Sequence, residues 1–218
     1  MTRVIGLGAG GHAKVIIDTL RLIGGFDIVG LLDPRPELHG REVLDVPVIG
    51  DDGLLREIAR QGVHHAFIGV GGGDTTTPRR DVYERAKSCG FEIVTVVHPH
   101  ATIAPSAAIG AGATILAGAV VNAAATLGAH VIVNSAAVVE HDCEIGDHVH
   151  VSVGAMLGGG VRVGEATLIG IGAVVRHGIS IGRLSIVGAG AVVVDDVPDG
   201  VVVVGLPARV VRAVQAST

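Results

Sequence analysis

From Ile103 onward an Ile, Val or Leu stands at every sixth position without a break, through Ile109, Ile115, Val121 and Leu127 to Val187 and Val193, sixteen in succession. Two residues before each stands a mostly small or β-branched residue, among them Ala101, Ala119, Ala137, Cys143, Val161, Thr167, Ser185 and Ala191. Positions two apart face the same side of an extended chain, so both sets point inward. Gly follows the large aliphatic residue eight times, for example at Gly110, Gly128, Gly146, Gly164 and Gly182, as a backbone with tight turns requires. A six-residue repeat of this kind builds a parallel β-helix of triangular section. Each hexapeptide makes one face, three make a coil, and each coil advances the chain by one strand spacing of about 4.8 Å.

The first hundred residues follow another rule. TRVIGLG reads as a strand, GAGGH as a glycine turn and AKVIIDTLRLIG as a helix with an apolar stripe at Val15, Ile16, Thr19, Leu20 and Ile23. DIVGLLD is a second strand ending on Asp33, followed by a helix in DDGLLREIARQG, a strand with a glycine loop in HHAFIGVGGG, a helix in PRRDVYERAKSCG and a fourth strand in FEIVTVVH. Alternating strands and helices give an α/β, Rossmann-like domain with a parallel sheet, whose ligands meet the carboxyl ends of the strands. Gly8, Gly10, Gly11, Asp33, Gly71, Gly72 and Gly73 lie there. Gly6-x-Gly8-x-x-Gly11 matches the dinucleotide fingerprint only formally, because it begins inside the strand and about four strands are too few to enclose a dinucleotide. A mononucleotide or nucleotide sugar, its phosphate near the start of the first helix, fits better.

Charge and composition narrow the classes. A formal charge of -5 offers no basic excess for nucleic acid or an anionic membrane. No apolar run reaches the ~18 to 20 residues of a membrane span. MTRVIGLGAGGHAK lacks the order of a signal peptide, so a cytoplasmic protein is expected. Cys89 and Cys143 have no metal-ligand spacing, and Cys143 falls on an inward position of the repeat.

The stretch VVEHDCEIGDHVHVSVG, residues 138 to 154, sets three histidines and four carboxylates inside this repeat of Gly, Ala, Val and Ile. Together with GxGGH at the first turn, it makes the chain similar to the bacterial hexapeptide-repeat acyltransferases. Within them it resembles the nucleotide-sugar acetyltransferases of bacterial surface-glycan synthesis, such as lipopolysaccharide O-antigen formation, with sialic-acid O-acetyltransferase-like proteins close by. The resemblance implies a left-handed β-helix, a hand that the period alone does not give. It implies a Rossmann-like nucleotide-sugar domain at 1–98, a β-helix acyltransferase domain at 99–198 and a coenzyme-proximal extension at 199–218. It also implies an acetyl-CoA-dependent N-acetyltransferase acting on the 4-amino group of a GDP- or UDP-linked 4-amino-4,6-dideoxy sugar.

By the same resemblance, His141 is the catalytic general base and Asp142 its acidic neighbour. Substrate contacts fall to His12, Asp33, Arg35 and His150, to which the place of Gly8, Gly10, Gly11, Gly71 and Gly72 at the strand ends adds those glycines. Coenzyme contacts fall to His150, Gly159, Gly170, Ala189 and the terminal element containing Gly205, Pro207 and Arg209. The chemistry fits these types. A thioester is an activated donor, so the protein must align donor and amine and accept one proton. A neutral imidazole does that near neutral pH, and an adjacent carboxylate fixes its tautomer. A backbone N–H of a coil glycine suits the developing oxyanion. No metal is needed.

Other readings attach to particular residues. His141 also fits an exposed turn histidine. His150 precedes inward Val151 and faces outward, as an exposed structural histidine would. His130 and His148 lie one coil apart, so their side chains can stack, and zinc-dependent carbonic anhydrases also use hexapeptide helices. A sugar O-acetyltransferase and a non-catalytic sugar-nucleotide-binding scaffold are the remaining alternatives. Flat Val- and Ala-rich faces call for burial about a threefold axis, so a homotrimer with the coenzyme between adjacent helices is expected.

Overall fold

The computed structural model describes residues 1–73 and 75–215. Two compact units emerge, one of Met1–Gly71 with Pro78–Pro99, the other of Gly72–Thr77 with the chain from His100 onward.

In the first unit β1 (Thr2–Leu7), β2 (Phe26–Leu32), β3 (Glu42–Val43), β4 (Val46–Gly50), β5 (His65–Ile68) and β6 (Glu92–Ile93) form one sheet in the order β3-β4-β2-β1-β5-β6. All neighbours are parallel except β3 and β4. Alternate residues of each strand face opposite sides. Val4, Leu31 and Phe67 therefore pack with Ala13, Ile16, Ile17 and Leu20 of α1 (Gly11–Ile23). Ile5, Leu7, Leu32 and Ile68 pack with Leu55 and Ile58 of α2 (Leu55–Arg60) and Ala86 of α3 (Thr77–Ser88).

Two expectations change here. The apolar stripe of α1 runs through Ala13, Ile16, Ile17 and Leu20, while Val15 and Ile23 are each 41% exposed. Those buried positions follow the i, i+3, i+4, i+7 rule, with Ala13 and Ile17 in the stripe in place of Val15 and Ile23, while Ile16, Thr19 and Leu20 are buried as expected. The sheet is also wider than four strands, because VPVIG forms β4 against β2. Pro47 is compatible with this strand because it sits where β4 meets only the short antiparallel β3, pairing with Glu42. Leu44 and Asp45, both at positive φ, make the two-residue turn between β3 and β4.

The second unit is a left-handed parallel β-helix. Three stacks of two-residue strands make its faces. The first contains Thr114–Ile115, Ile132–Val133, His150–Val151, Leu168–Ile169 and Ile186–Val187. The second contains Val120–Val121, Val138–Val139, Met156–Leu157 and Val174–Val175, and the third contains Thr126–Leu127, Glu144–Ile145, Arg162–Val163 and Ser180–Ile181. Registers such as Val138↔Met156 and Glu144↔Arg162 confirm eighteen residues per coil. From Ala113 to Val193 every inward position is at most 5% exposed, Cys143 included at 0%. Thr167 and Ser185 bring hydroxyls into this column. Their Oγ atoms donate to the carbonyls of Gly182 and Pro198, at 2.6 and 2.7 Å, so neither is buried without a partner.

Outward residues give the faces different characters. The third carries Thr126, Glu144, Arg162 and Ser180, with Arg162 Nε 3.4 Å from Glu144 Oε1. The second presents Val120, Val138, Met156, Val174 and Val192, of which Met156 is 51% and Val174 40% exposed. The helix is capped by the strand Val201–Gly205, parallel to Ile186–Val187, and by Ala208–Ala213, which folds back antiparallel on it. No helix among the described residues is long and apolar enough to cross a membrane.

Candidate active site

His141 and Asp142 occupy the corner between the second face, after Val139, and the third face, before Glu144. Asp142 has a φ of 58°, a left-handed conformation that Asp tolerates better than most residues. That bend brings its carboxylate back to the preceding ring, with Asp142 Oδ2 2.8 Å from His141 Nδ1. Both side chains are well exposed. The carboxylate hydrogen bond raises the His141 pKa above its ordinary value, with smaller contributions of the same sign from the Asp142 and Glu140 charges. With Nδ1–H donated to Asp142, the Nε2 lone pair is the one left to take a proton. Glu140 Oε2 accepts from the His141 backbone N–H and from Asn122 Nδ2, both at 3.1 Å, which ties the corner to the coil before it.

The imidazole lies over Gly159, eighteen residues on. A Cβ at Gly159 would stand 2.5 Å from both Cε1 and Nε2 of His141, so only glycine leaves room for the ring. Gly159 therefore belongs to the His141 corner. Gly170 and Ala189 belong to another corner, between the first and second faces, and line a groove of about 330 Å³ with Ser152, Ile171, Gly188 and Arg212.

His150 lies on the first face and points outward, as its place before Val151 requires, but it is only 4% exposed. Its Nε2 is 3.1 Å from Asn134 Nδ2, and a Cβ at Gly72 would stand 2.3 Å from its Nδ1. The glycine loop thus divides. Gly71 stays with the α/β unit, while Gly72–Thr77 lies with the β-helix, where Thr76 Oγ1 donates to the Ala166 carbonyl at 2.7 Å. The exposed reading of His150 is overturned by this cover. His130 and His148, one coil apart, do meet, edge to face at 83° with ring centroids 5.3 Å apart, and both are buried.

In the α/β unit a cavity of about 450 Å³ is lined by Gly8, Asp33, Arg35, Asp52, Asp81 and Arg85, among others. Gly8 has a φ of 101° and its absent Cβ would press on Val70, so this turn requires glycine. A Cβ at Gly10 or Gly11 meets nothing within 4 Å, so the amino end of α1 is open to approach. Asp33 is 3% exposed and already occupied. It accepts from the Ala9 and Arg35 backbone N–H groups and forms a two-pronged pair with Arg35 at 2.8 and 2.9 Å. The Arg35 hydrogen bonds hold its carboxyl down at about 2. Asp33 therefore presents Arg35 and the turn, with four donors on its two oxygens, and has no acceptor left for a base. His12, on the first turn of α1, packs its Cβ against Gly71. Burial, with the charge of Arg79, lowers its pKa to about 4, so it is neutral. Arg79, itself 0% exposed, is a charged neighbour of His12 that the sequence hid among the surface charges of PRRDVYERAKSCG.

Gly205 and Pro207 form the turn between the last two strands, with a cis bond between Leu206 and Pro207. Arg209 turns to Asp195, 3.2 Å away.

These arrangements have counterparts. Residues 3–86 match the PglD N-terminal domain and residues 160–195 the bacterial transferase hexapeptide (six repeats). A perosamine N-acetyltransferase from Caulobacter crescentus, solved with CoA and GDP-perosamine, is 39% identical, with 95% of each chain covered and a TM-score of 0.89. The acetyltransferase domain of PglB from Neisseria gonorrhoeae, solved with acetyl coenzyme A, is also 39% identical, covering 96% of this chain and 99% of that one, with a TM-score of 0.88. The chain belongs to the PglD-type hexapeptide N-acetyltransferases. WeeI from Acinetobacter baumannii is similar at 28% identity and a TM-score of 0.83, with 96% of this chain and 100% of that one covered. For a PglD-type acetyltransferase, the parts just described are an imidazole with one committed and one available nitrogen, a narrow groove along a β-helix corner, and a separate nucleotide-sized cavity.

Proposed function

We propose that this protein transfers the acetyl group of acetyl-CoA to the 4-amino group of a nucleotide-linked 4-amino-4,6-dideoxy sugar in bacterial surface-glycan synthesis. The observation that carries the reading is the His141–Asp142 pair seated over Gly159. Similarity at 39% identity to a GDP-perosamine enzyme favours GDP-perosamine as the first substrate to try. In two solved structures of that relative a histidine has been replaced, by asparagine in one and by alanine in the other.

The sugar amine attacks the thioester carbonyl carbon. A C–N bond forms, the carbonyl oxygen takes negative charge, and collapse expels CoA thiolate. His141 Nε2 removes the amine proton, and Asp142 holds Nδ1–H and stabilises the resulting imidazolium. A coil N–H such as that of Gly159, beside the ring, is the natural donor to the oxyanion. The raised His141 pKa makes it a stronger base, at the cost of more protonation below neutrality.

The His141 corner and the groove lined by Gly170 and Ala189 flank opposite edges of the apolar second face. Packing that face on a second copy sets the His141 corner of one copy beside the groove of the next. We read the assembly as a homotrimer with its sites between subunits, in the cytoplasm where acetyl-CoA is made. Asp33 and Arg35 then shape the nucleotide cavity, with Gly10 and Gly11 open to the phosphates.

Incubation with labelled acetyl-CoA and a panel of GDP- and UDP-linked amino sugars tests the reading. Label in an amide of a 4-amino sugar is expected, whereas label only in a sugar ester, or none with any acceptor, overturns it.

A further inference from the structure

We propose that Arg212, and not Arg209, anchors the anionic phosphates of the coenzyme. The assignment rests on the acetyl-CoA reading above and concerns residues of the β-helix unit alone. The groove of about 330 Å³ is walled by glycines, aliphatic side chains and one serine, and Arg212 carries the only charge among its described lining residues. Such a wall suits a thin, uncharged pantetheine arm. It gives nothing to the pyrophosphate and 3′-phosphate that follow, and those need a cation at the groove's end.

The terminal hairpin places that cation. Arg212 pairs with Val202, whose strand lies against Ile186–Val187, and so lines the groove together with Ile186, Val187 and Gly188. The one hydrogen bond of its guanidinium among the described residues is a long one, 3.3 Å from Nη1 to the Ala213 carbonyl, leaving most of its donors for a phosphate. Arg209 is differently engaged, with Nη1 on Asp195 at 3.2 Å and on the Ala208 carbonyl at 2.9 Å, and its charge is offset by that carboxylate.

Calorimetric titration of the wild type, Arg212→Gln, Arg212→Lys and Arg209→Gln with CoA, dephospho-CoA and S-acetylpantetheine tests the assignment. Arg212→Gln is expected to weaken CoA by about 10- to 100-fold, the range of one charge-assisted phosphate contact. Lysine is expected to restore part of the affinity, Arg209→Gln to change it less than threefold, roughly, and S-acetylpantetheine to bind all four alike. A loss shared by CoA and dephospho-CoA assigns the contact to the pyrophosphate, and a loss confined to CoA assigns it to the 3′-phosphate. Unchanged CoA affinity in Arg212→Gln overturns the anchor, as does an equal loss for S-acetylpantetheine, which marks a packing role. A wild-type protein that binds S-acetylpantetheine and CoA equally well overturns it too, while one that binds neither defeats the acetyl-CoA reading itself.

Discussion

The ring of His141 rests on Gly159, the residue one coil beyond it, with room for no more than a hydrogen where a Cβ would stand 2.5 Å from Nε2. Gly159 does not have a positive φ, so alanine is conformationally acceptable there. The conflict is with the end of an exposed side chain that can swing away. Gly159→Ala should therefore leave the melting temperature within a degree or two while lowering kcat at least tenfold, roughly, because small displacements of a base are costly. Calorimetry beside steady-state kinetics separates the two effects.

Removing the base itself should cost more. His141→Ala is expected to lower kcat by about 10²- to 10⁴-fold, the usual range for general bases, with CoA affinity unchanged. A variant retaining near-normal kcat would sink the mechanism.

Asp142 holds the His141 pKa up through its hydrogen bond. Since the base works deprotonated, kcat/KM should rise with pH through a value above ~6.5 in the wild type. In Asp142→Asn that limb should move to lower pH, and the plateau should fall by less than in His141→Ala. A pH-rate profile of both proteins checks the sign.

Asp33 bears on stability. Its carboxyl is held down at about 2 from an ordinary 3.8 by Arg35 and Ala9. A lowered folded-state value means stabilisation that is complete above about pH 4 and lost as pH falls towards 2, on the order of 2 kcal/mol. Asp33→Asn should remove it at neutral pH and flatten the stability curve across that window in urea titrations.

Charge on the second face should break the assembly. Met156→Glu or Val174→Glu is expected to convert a trimer to monomers in sedimentation at micromolar concentration, whereas Ser180→Glu on the polar third face should not. Wild type that sediments only as monomer would remove the intersubunit site.

Most of the second unit was legible because its period is written in every residue, and the inward column from Ala113 to Val193 is buried without exception. Asp142's position beside His141 was legible too, although its left-handed bend was not. The sequence failed where burial comes from distant chain. The place of His150 before inward Val151 marks it as outward, but nothing local announces that Gly72 lies on its ring. Asp33 was placed at the right strand end, yet its saturation by Arg35 and Ala9 depends on a turn two residues long and a backbone N–H from another loop. VPVIG is not assigned from sequence, and Pro47 is tolerated in β4 because on that side the strand meets only the two-residue β3. Arg79 was hidden as a charge on a polar helix that folding buries.

Eighteen residues per coil also makes length a stepped quantity for this chain. An insertion or loss of eighteen residues between Ala113 and Val193 keeps every later side chain on its own face and merely lengthens or shortens the prism. Six or twelve turn the downstream sequence by one or two faces, so that Glu144 and Arg162 leave the polar third face for the first or second. A single residue inverts the inward column altogether. Viable relatives of different length should therefore differ here by whole coils, with any odd residues looped out at corners, and His141 should keep a glycine one coil beyond it whatever the number of coils on either side.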